Sequence, residues 1–188
     1  DFGYRGMHLD IARNFQTPEA IKRLLDIMAY YKLNVFHFHF NDDESWRLEI
    51  PGIPELTSYG ARRGHTLDEK DMLHPTYGSG PFADDTTSHG YGYFTREHFI
   101  DLLRYATRLH IHVIPEIETP GHARAAIYSM KHRYEKYKDT DPEEATRYLL
   151  HDPADTSEYT SAQGFHDNVM CVANEGVYNF LDKVVTEL

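Results

Sequence analysis

The stretch Asn34-Val-Phe-His-Phe-His-Phe-Asn-Asp-Asp-Glu-Ser-Trp-Arg47 decides the fold. Its first half alternates strictly, and period-two alternation predicts a β-strand. The two faces carry Val35, His37 and His39 on one side and Phe36, Phe38 and Phe40 on the other. The Phe face suits burial beneath helices, and the His face suits a polar interior. The strand runs directly into Asn41, Asp42, Asp43 and Glu44, where a rigid element can aim acids into a cleft.

Strands and helices alternate along the rest of the chain. Thr17 and Thr95 are candidate N-caps of two amphipathic helices, each leading to a strand. Pro115 is expected to end regular pairing of the third strand or to form a bulge, because proline has no N–H to donate. The predicted strands cover about 4–11, 34–40 and 110–118, and the predicted helices about 17–32, 95–109, 123–138, 142–150 and 175–188. The Gly- and Pro-rich region 51–94 is predicted to be a long loop without regular structure, which is usually functional.

This order indicates a parallel sheet, because helices connect successive strands and no hairpin turn joins them. Two architectures compete, an open doubly wound sheet and a (β/α) barrel. A nucleotide-binding sheet is disfavoured because no Gly-rich phosphate loop follows the first strand. Polar faces on all three strands favour the barrel. We therefore predict an α/β fold of the TIM (β/α)8 class, of which the chain supplies about the first three β/α units.

Composition narrows the possible functions. A formal net charge of -11 argues against nucleic-acid binding, since phosphate contacts need a basic face. The single cysteine, Cys171, excludes an internal disulfide. No apolar run reaches about 18 residues, so no membrane span is expected. The chain starts at Asp1, close to a strand, and we expect it to be a piece of a longer protein.

Polar residues follow the C-terminal ends of all three predicted strands. The candidate site residues are Asp10, Arg13, Asp42, Asp43, Glu116, Glu118 and His122. Each alone has a structural explanation as a capping acid, an ion-pair partner or a solvated side chain. Together they favour function, because carboxylates accept hydrogen bonds from sugar hydroxyls and Arg donates in a rigid fork. The pattern predicts a site for a hydroxyl-rich ligand.

Three other interpretations stay open at this point. His37 and His39 share a strand face, and with His112 they would form the metal centre of a metal-dependent barrel hydrolase, although a structural role is favoured. A non-catalytic sugar-binding barrel would use Arg13 and the acids alone. Trp46 is either a cap on the barrel rim or a stacking surface for a sugar, and the cap is slightly favoured.

Several long motifs resemble the family 20 glycoside hydrolases, the β-N-acetylhexosaminidases, most closely their bacterial chitobiase branch. The motifs are Arg-Gly-Met-His-Leu-Asp-Ile-Ala-Arg-Asn-Phe at 5–15, Lys-Leu-Asn-Val-Phe-His-Phe-His-Phe-Asn-Asp-Asp-Glu-Ser-Trp-Arg at 32–47, Pro-Glu-Leu-Thr-Ser-Tyr-Gly-Ala-Arg-Arg-Gly-His at 54–65, Tyr-Gly-Ser-Gly-Pro at 77–81 and Val-Ile-Pro-Glu-Ile-Glu-Thr-Pro-Gly-His-Ala-Arg-Ala-Ala at 113–126. They occur in the family's order and cover nearly the whole chain.

The resemblance implies a (β/α)8 enzyme that removes terminal N-acetylhexosamine from chitooligosaccharides or glycans. It implies a retaining mechanism in which the substrate's own acetamido oxygen attacks the anomeric carbon. By motif position, Arg13 matches the arginine that grips the sugar hydroxyls. Asp42 and His122 match members of the hydrogen-bond network around the general acid, and Glu118 stands where many relatives have Asp. No cofactor or metal is implied, and a periplasmic or secreted location is expected.

One family motif does not occur. The adjacent Asp-Glu pair that follows a His-x-Gly-Gly segment is absent from the sequence, and we expect it on a fourth strand beyond Leu188. Residues 1–188 are therefore expected to be a partial catalytic barrel domain that ends before this strand. No catalytic residue is assigned within the chain, its macromolecular partner would be the remainder of the parent barrel, and we predict that the isolated segment is inactive.

Overall fold

Three parallel strands in the order β1-β2-β3 form the central sheet. The computed structural model describes residues 2–188. In chain order the elements are β1 (Gly6–Asp10), α1 (Pro18–Tyr30), β2 (Val35–His39), α2 (Glu55–Ser58), α3 (Arg96–Arg108), β3 (His112–Glu116), α4 (Arg124–Tyr137), α5 (Pro142–Thr146) and α6 (Glu175–Glu187). The predicted parallel α/β arrangement is confirmed. Within the described residues, no helix has both the length and the apolar character that crossing a bilayer requires.

Local sequence signals start the helices where they were predicted. The Thr17 hydroxyl accepts a hydrogen bond from the Ala20 N–H, and the Thr95 hydroxyl accepts one from the His98 N–H. Each bond satisfies a backbone donor that a helix N-terminus leaves free. The apolar stripes of α1 and α3 then join the Phe face of β2 in one hydrophobic core. Phe38 stacks on Phe99 of α3, with ring centroids 6.4 Å apart.

The register of the sheet aligns the polar strand ends. Asp10 pairs with His39 across β1 and β2, and His39 pairs with Glu116 across β2 and β3. Adjacent strands lie about 4.8 Å apart, so these three residues form a row across the C-terminal ends of the strands. The loops that follow β1, β2 and β3 therefore leave the sheet side by side.

Three predictions need correction. Pro115 neither ends the pairing nor forms a bulge, because it stays in register with Phe38 and the strand continues to Glu116. The long loop contains the short helix α2, and α5 ends at Thr146 rather than near Leu150.

Arg47 organises the irregular region by binding backbone carbonyls. Its guanidinium is fully buried and donates hydrogen bonds to carbonyl oxygens of three separate segments. The acceptors are Ile11, Ala12, Ala61, His89, Gly90 and Gly92. Arg63 adds bonds to the carbonyls of Arg13 and His89. The two arginines thus attach the 61–92 region to the loop after β1, which carries Arg13.

We expect Arg47→Lys in the full-length protein to lower the unfolding free energy by about 3–5 kcal/mol, because an ammonium group cannot reach carbonyls on three segments and buried acceptors stay unpaired. Thermal unfolding by calorimetry measures the change. The control is Arg104→Lys, an exposed position on α3. Equal melting temperatures for the two variants would contradict this role for Arg47.

Candidate active site

The loops after β1, β2 and β3 bring the predicted polar residues into one cluster. Asp10 ends β1 and Arg13 follows it, Asp42 follows β2, and Glu116 ends β3. His122 lies on the loop between β3 and α4 with a left-handed φ of 52°, a conformation that non-glycine residues rarely adopt outside constrained sites. Its ring reaches back to Asp42. The predicted convergence of these strand ends is observed.

Arg13 is held by three carboxylates. Its Nη1 lies 2.9 Å from Asp10 Oδ2 and 2.8 Å from Asp42 Oδ2, and its Nε lies 2.9 Å from Glu44 Oε2. Only Nη2 faces away from the acids, and it donates to Gln163 Oε1 at 3.3 Å. A guanidinium has five N–H donors in a fixed plane, so this arrangement leaves the Nη2 edge for an incoming ligand. The side chain is 22% exposed, which provides access.

Asp10 also sets the backbone that presents Arg13. Its Oδ1 accepts hydrogen bonds from the N–H groups of Ala12 and Arg13, at 2.8 and 3.1 Å. Its Oδ2 accepts the hydrogen bond from Arg13 Nη1 described above. One carboxylate therefore fixes both the turn after β1 and the direction of the guanidinium.

Asp42 is the centre of the cluster. Its side chain is 2% exposed, and its Oδ1 accepts from the Asp43 N–H at 2.6 Å and lies 3.2 Å from His122 Nδ1. Its Oδ2 faces Arg13 Nη1 and His39 Nε2, the latter at 3.1 Å. Burial raises the pKa of Asp42, but the adjacent His39 ring, the hydrogen bond from the Asp43 N–H and the charge of Arg13 lower it by more, to below its ordinary value. Asp42 is therefore ionised at neutral pH.

Asp43 faces a different part of the fold. Its buried carboxylate accepts from the Arg124 N–H at the start of α4 and from Asn168 Nδ2, at 3.1 and 2.9 Å. Burial raises the pKa of Asp43. His122 Nδ1 lies 3.5 Å away. Asp43 thus joins the site to α4 and to the 151–171 segment, and it does not contact Arg13.

The β3 acids occupy the polar face of the sheet. Glu116 Oε2 lies 2.8 Å from His37 Nε2, 3.3 Å from His8 Nε2 and 3.4 Å from His39 Nδ1. Burial raises the pKa of Glu118, and so does the adjacent Glu116. Glu118 has a carboxylate oxygen within 4.8 Å of ligand atoms of both His39 and Asp42.

Three groups of side chains have ligand atoms close enough to hold a metal ion. They are His8, His39 and Glu116; His39, Asp42 and Glu118; and Asp42, Asp43 and His122. Ion pairs and hydrogen bonds between these same groups account for their contacts without an ion. The predicted trio of His37, His39 and His112 is wrong, because His112 pairs with Val35 at the opposite end of the sheet from Glu116. Four residues of extended chain separate the two, or about 13 Å.

Trp46 is not part of the site. Its side chain is fully buried between Phe40 and Phe180, with ring centroids 6.0 and 5.8 Å away, and its indole N–H donates to the Leu48 carbonyl. Both earlier interpretations, a rim cap and a sugar-stacking surface, are therefore wrong. The apolar ring packs in the core because Asn41 and Trp46 bridge across the turn that presents Asp42.

Three residues that contact the site are not in the predicted set of site residues. Glu44 continues the acidic run of the key stretch, and its buried side chain reaches Arg13, so the sequence did contain a signal for it. Gln163 and Asn168 lie in the irregular 151–171 segment, which has no periodic pattern to place them. Only the folded chain brings this segment against Arg13 and Asp43.

Comparison with known proteins identifies the family of the chain. The model of "Glycosyl hydrolase family 20, catalytic domain" matches residues 2–188. A "Beta-hexosaminidase" of Vibrio vulnificus is 46% identical over 186 residues, and an "N,N'-diacetylchitobiase" of Vibrio harveyi is 46% identical over 189 residues. The crystal structure of a GH20 exo-β-N-acetylglucosaminidase from Vibrio harveyi in complex with N-acetylglucosamine superimposes with a TM-score of 0.81 at 41% identity.

These matches cover almost all of this chain but a small share of each relative. The chain aligns over 98% and 100% of its length with the two curated relatives, and spans 22% and 21% of theirs. The superposition with the crystal structure covers 99% of this chain and 25% of the crystallised chain. A match over this length and at this identity shows membership: the chain belongs to glycosyl hydrolase family 20.

Proposed function

We propose that the protein to which this chain belongs is a β-N-acetylhexosaminidase that removes terminal N-acetylhexosamine from chitooligosaccharides or glycans. The observation that supports this proposal is the set of ion pairs around Arg13. Asp10, Asp42 and Glu44 fix its guanidinium and leave the Nη2 edge for a ligand. A preorganised cationic donor beside the ionised carboxylate of Asp42 suits the hydroxyl groups of a sugar ring. The names of the relatives support the same substrate class.

In this proposal the chain supplies the first three units of a (β/α)8 barrel. Arg13 Nη2 donates to sugar hydroxyls, while the carboxylate of Asp42 orients His122 through Nδ1. His122 is 43% exposed, so its other ring nitrogen is free to face a group contributed from outside residues 2–188. Glu118 belongs to the surrounding network rather than to the sugar contact. The chain holds the non-reducing sugar and orients partners of the general acid.

The proposed reaction is retaining and substrate-assisted. The acetamido oxygen of the substrate attacks the anomeric carbon while a general acid protonates the leaving oxygen, and water then opens the cyclic intermediate with retention. The acid and its neighbouring Asp are expected on the next strand of the barrel. A periplasmic or secreted location fits a substrate of this kind and completes the proposal.

Chromogenic substrates test it in the full-length protein. We expect turnover of p-nitrophenyl N-acetyl-β-D-glucosaminide or its galacto analogue, with the p-nitrophenyl β-D-glucoside hydrolysed at least about 10³-fold more slowly because it lacks the internal nucleophile. Residues 1–188 alone are expected to give no turnover. Equal hydrolysis of the glucoside would contradict the mechanism, and activity of the isolated segment would contradict the division of roles.

The same experiment separates the alternative of a sugar-binding barrel. Such a protein would bind N-acetylglucosamine, measured by calorimetry, and would leave every chromogenic substrate intact. We expect both binding and turnover.

A further inference from the structure

A layer of imidazoles lies beneath Asp42 on the polar face of the sheet. Three histidines from β1 and β2 surround a single carboxylate oxygen, Glu116 Oε2, at 2.8 to 3.4 Å. His8 packs edge-on against His37, with ring centroids 4.8 Å apart. None of these side chains contacts the Nη2 edge of Arg13, so the ligand proposed above does not require them directly.

His39 connects this layer to the site. Its side chain is 7% exposed, and its two ring nitrogens face opposite acids. Nε2 lies 3.1 Å from Asp42 Oδ2, and Nδ1 lies 3.4 Å from Glu116 Oε2. Both neighbours are carboxylates, so a protonated ring is attracted to both of them. The ring cannot rotate without losing one of the two contacts.

We propose that Glu116 and His39 are positioning residues: Glu116 holds the His39 ring, and His39 holds the Asp42 carboxylate where it binds Arg13 and His122. The activity readout of this inference rests on the proposed hexosaminidase function. The geometry extends the network two side chains below Asp42, from the strand end into the sheet.

The charge of His39 follows from what surrounds it. The titratable and charged groups that face it are His8 and Asp10 of β1, Arg13 after β1, His37 of β2, Asp42 after β2, Glu116 of β3 and Glu118 after β3. Burial lowers the pKa of His39, but the adjacent Asp42 carboxylate and the charges of Asp10 and Glu116 raise it by more, above its ordinary 6.5.

The raised pKa of His39 determines how its support of Asp42 changes with pH. A raised pKa means that the imidazolium and its support of Asp42 are fully present below about pH 6.5 and are lost as pH rises through the raised value. Removing the charge of Glu116 takes away one raising cause. The support should therefore be lost at a lower pH.

The test compares Glu116→Gln with the parent in the full-length protein. The matched control is Glu97→Gln, an exposed glutamate in the first turn of α3. We expect the alkaline limb of the kcat/KM profile to move about one pH unit lower, as loss of a nearby opposite charge predicts. We also expect a drop in kcat of about 10- to 100-fold, since a small misplacement of a reacting group has an effect of this size. Crystal structures of both variants should show Asp42 displaced from Arg13 only in Glu116→Gln.

A pH profile and an Asp42 position identical to those of Glu97→Gln would overturn the inference. If Glu116→Gln fails to fold, His39→Gln breaks the same link, and an undisplaced Asp42 there would equally overturn it. Failure of the proposed function has a different signature: the parent would hydrolyse no hexosaminide, while the crystallographic position of Asp42 would still decide the role of Glu116.

Discussion

Asp42→Asn in the full-length protein is expected to lower kcat by about 10²- to 10⁴-fold, the contribution typical of a group that serves acid–base chemistry. The carboxylate faces four groups that carry N–H donors, on Arg13, His39, His122 and the Asp43 backbone. An amide presents its own NH₂ group to at least one of them. The replacement therefore turns an attraction into a repulsion at the centre of the cluster while leaving the volume unchanged.

The matched control is Asp139→Asn, an exposed aspartate near the end of α4. It should keep parent kcat and KM. Steady-state kinetics on a chromogenic N-acetylglucosaminide, with circular dichroism to confirm folding, separates the two variants. A kcat for Asp42→Asn within about threefold of the control would remove Asp42 from the active site.

Arg13→Met should weaken substrate binding and the fold together. Loss of a charged hydrogen bond to a sugar hydroxyl corresponds to about 1.5–3 kcal/mol, so KM should rise about 10- to 100-fold. The carboxylates of Asp42 and Glu44, 2% and 0% exposed, would also lose their common cation. Breaking a buried pair of this kind costs about 3 kcal/mol in unfolding free energy.

The effect of Arg13→Met on the free energy of unfolding should depend on pH. The charge of Arg13 helps hold the pKa of Asp42 below its ordinary value, so the stabilisation by Asp42 is present above about pH 3.8 and is lost as pH falls through its lower folded pKa. Removing Arg13 raises the pKa of Asp42, so the stabilisation by Asp42 is lost at a higher pH than in the parent. Arg23→Met, at an exposed position on α1, is the control. An unchanged KM in Arg13→Met would refute the sugar contact.

Local patterns in the sequence predicted the elements that local physics controls. The alternation of His and Phe residues identified β2, and the two threonine caps identified the starts of α1 and α3. Because these are short-range effects, they do not depend on the rest of the fold. Helices between the strands then indicated a parallel sheet. In a parallel sheet Asp10, Asp42 and Glu116 lie together at the C-terminal ends of the strands.

The incorrect predictions depended on long-range contacts. Trp46 follows an acidic run, so the sequence placed it at the site, whereas the fold buries it against Phe180, which lies 134 residues away in the chain and belongs to α6. Pro115 stays in register with Phe38 of β2, and no local pattern reveals this long-range pairing. Gln163 contacts Arg13 from an irregular segment 150 residues further along the chain, and no local pattern reveals that contact either.

The most direct test of the account is a crystal structure of the full-length protein with N-acetylglucosamine bound. The distance to measure runs from Arg13 Nη2 to the nearest sugar hydroxyl oxygen. We predict about 2.7–3.2 Å, with Gln163 displaced or sharing the contact and with Asp10, Asp42 and Glu44 still paired to the guanidinium. A sugar bound with no oxygen within about 4 Å of Nη2 would contradict the central claim that these strand ends form a sugar site.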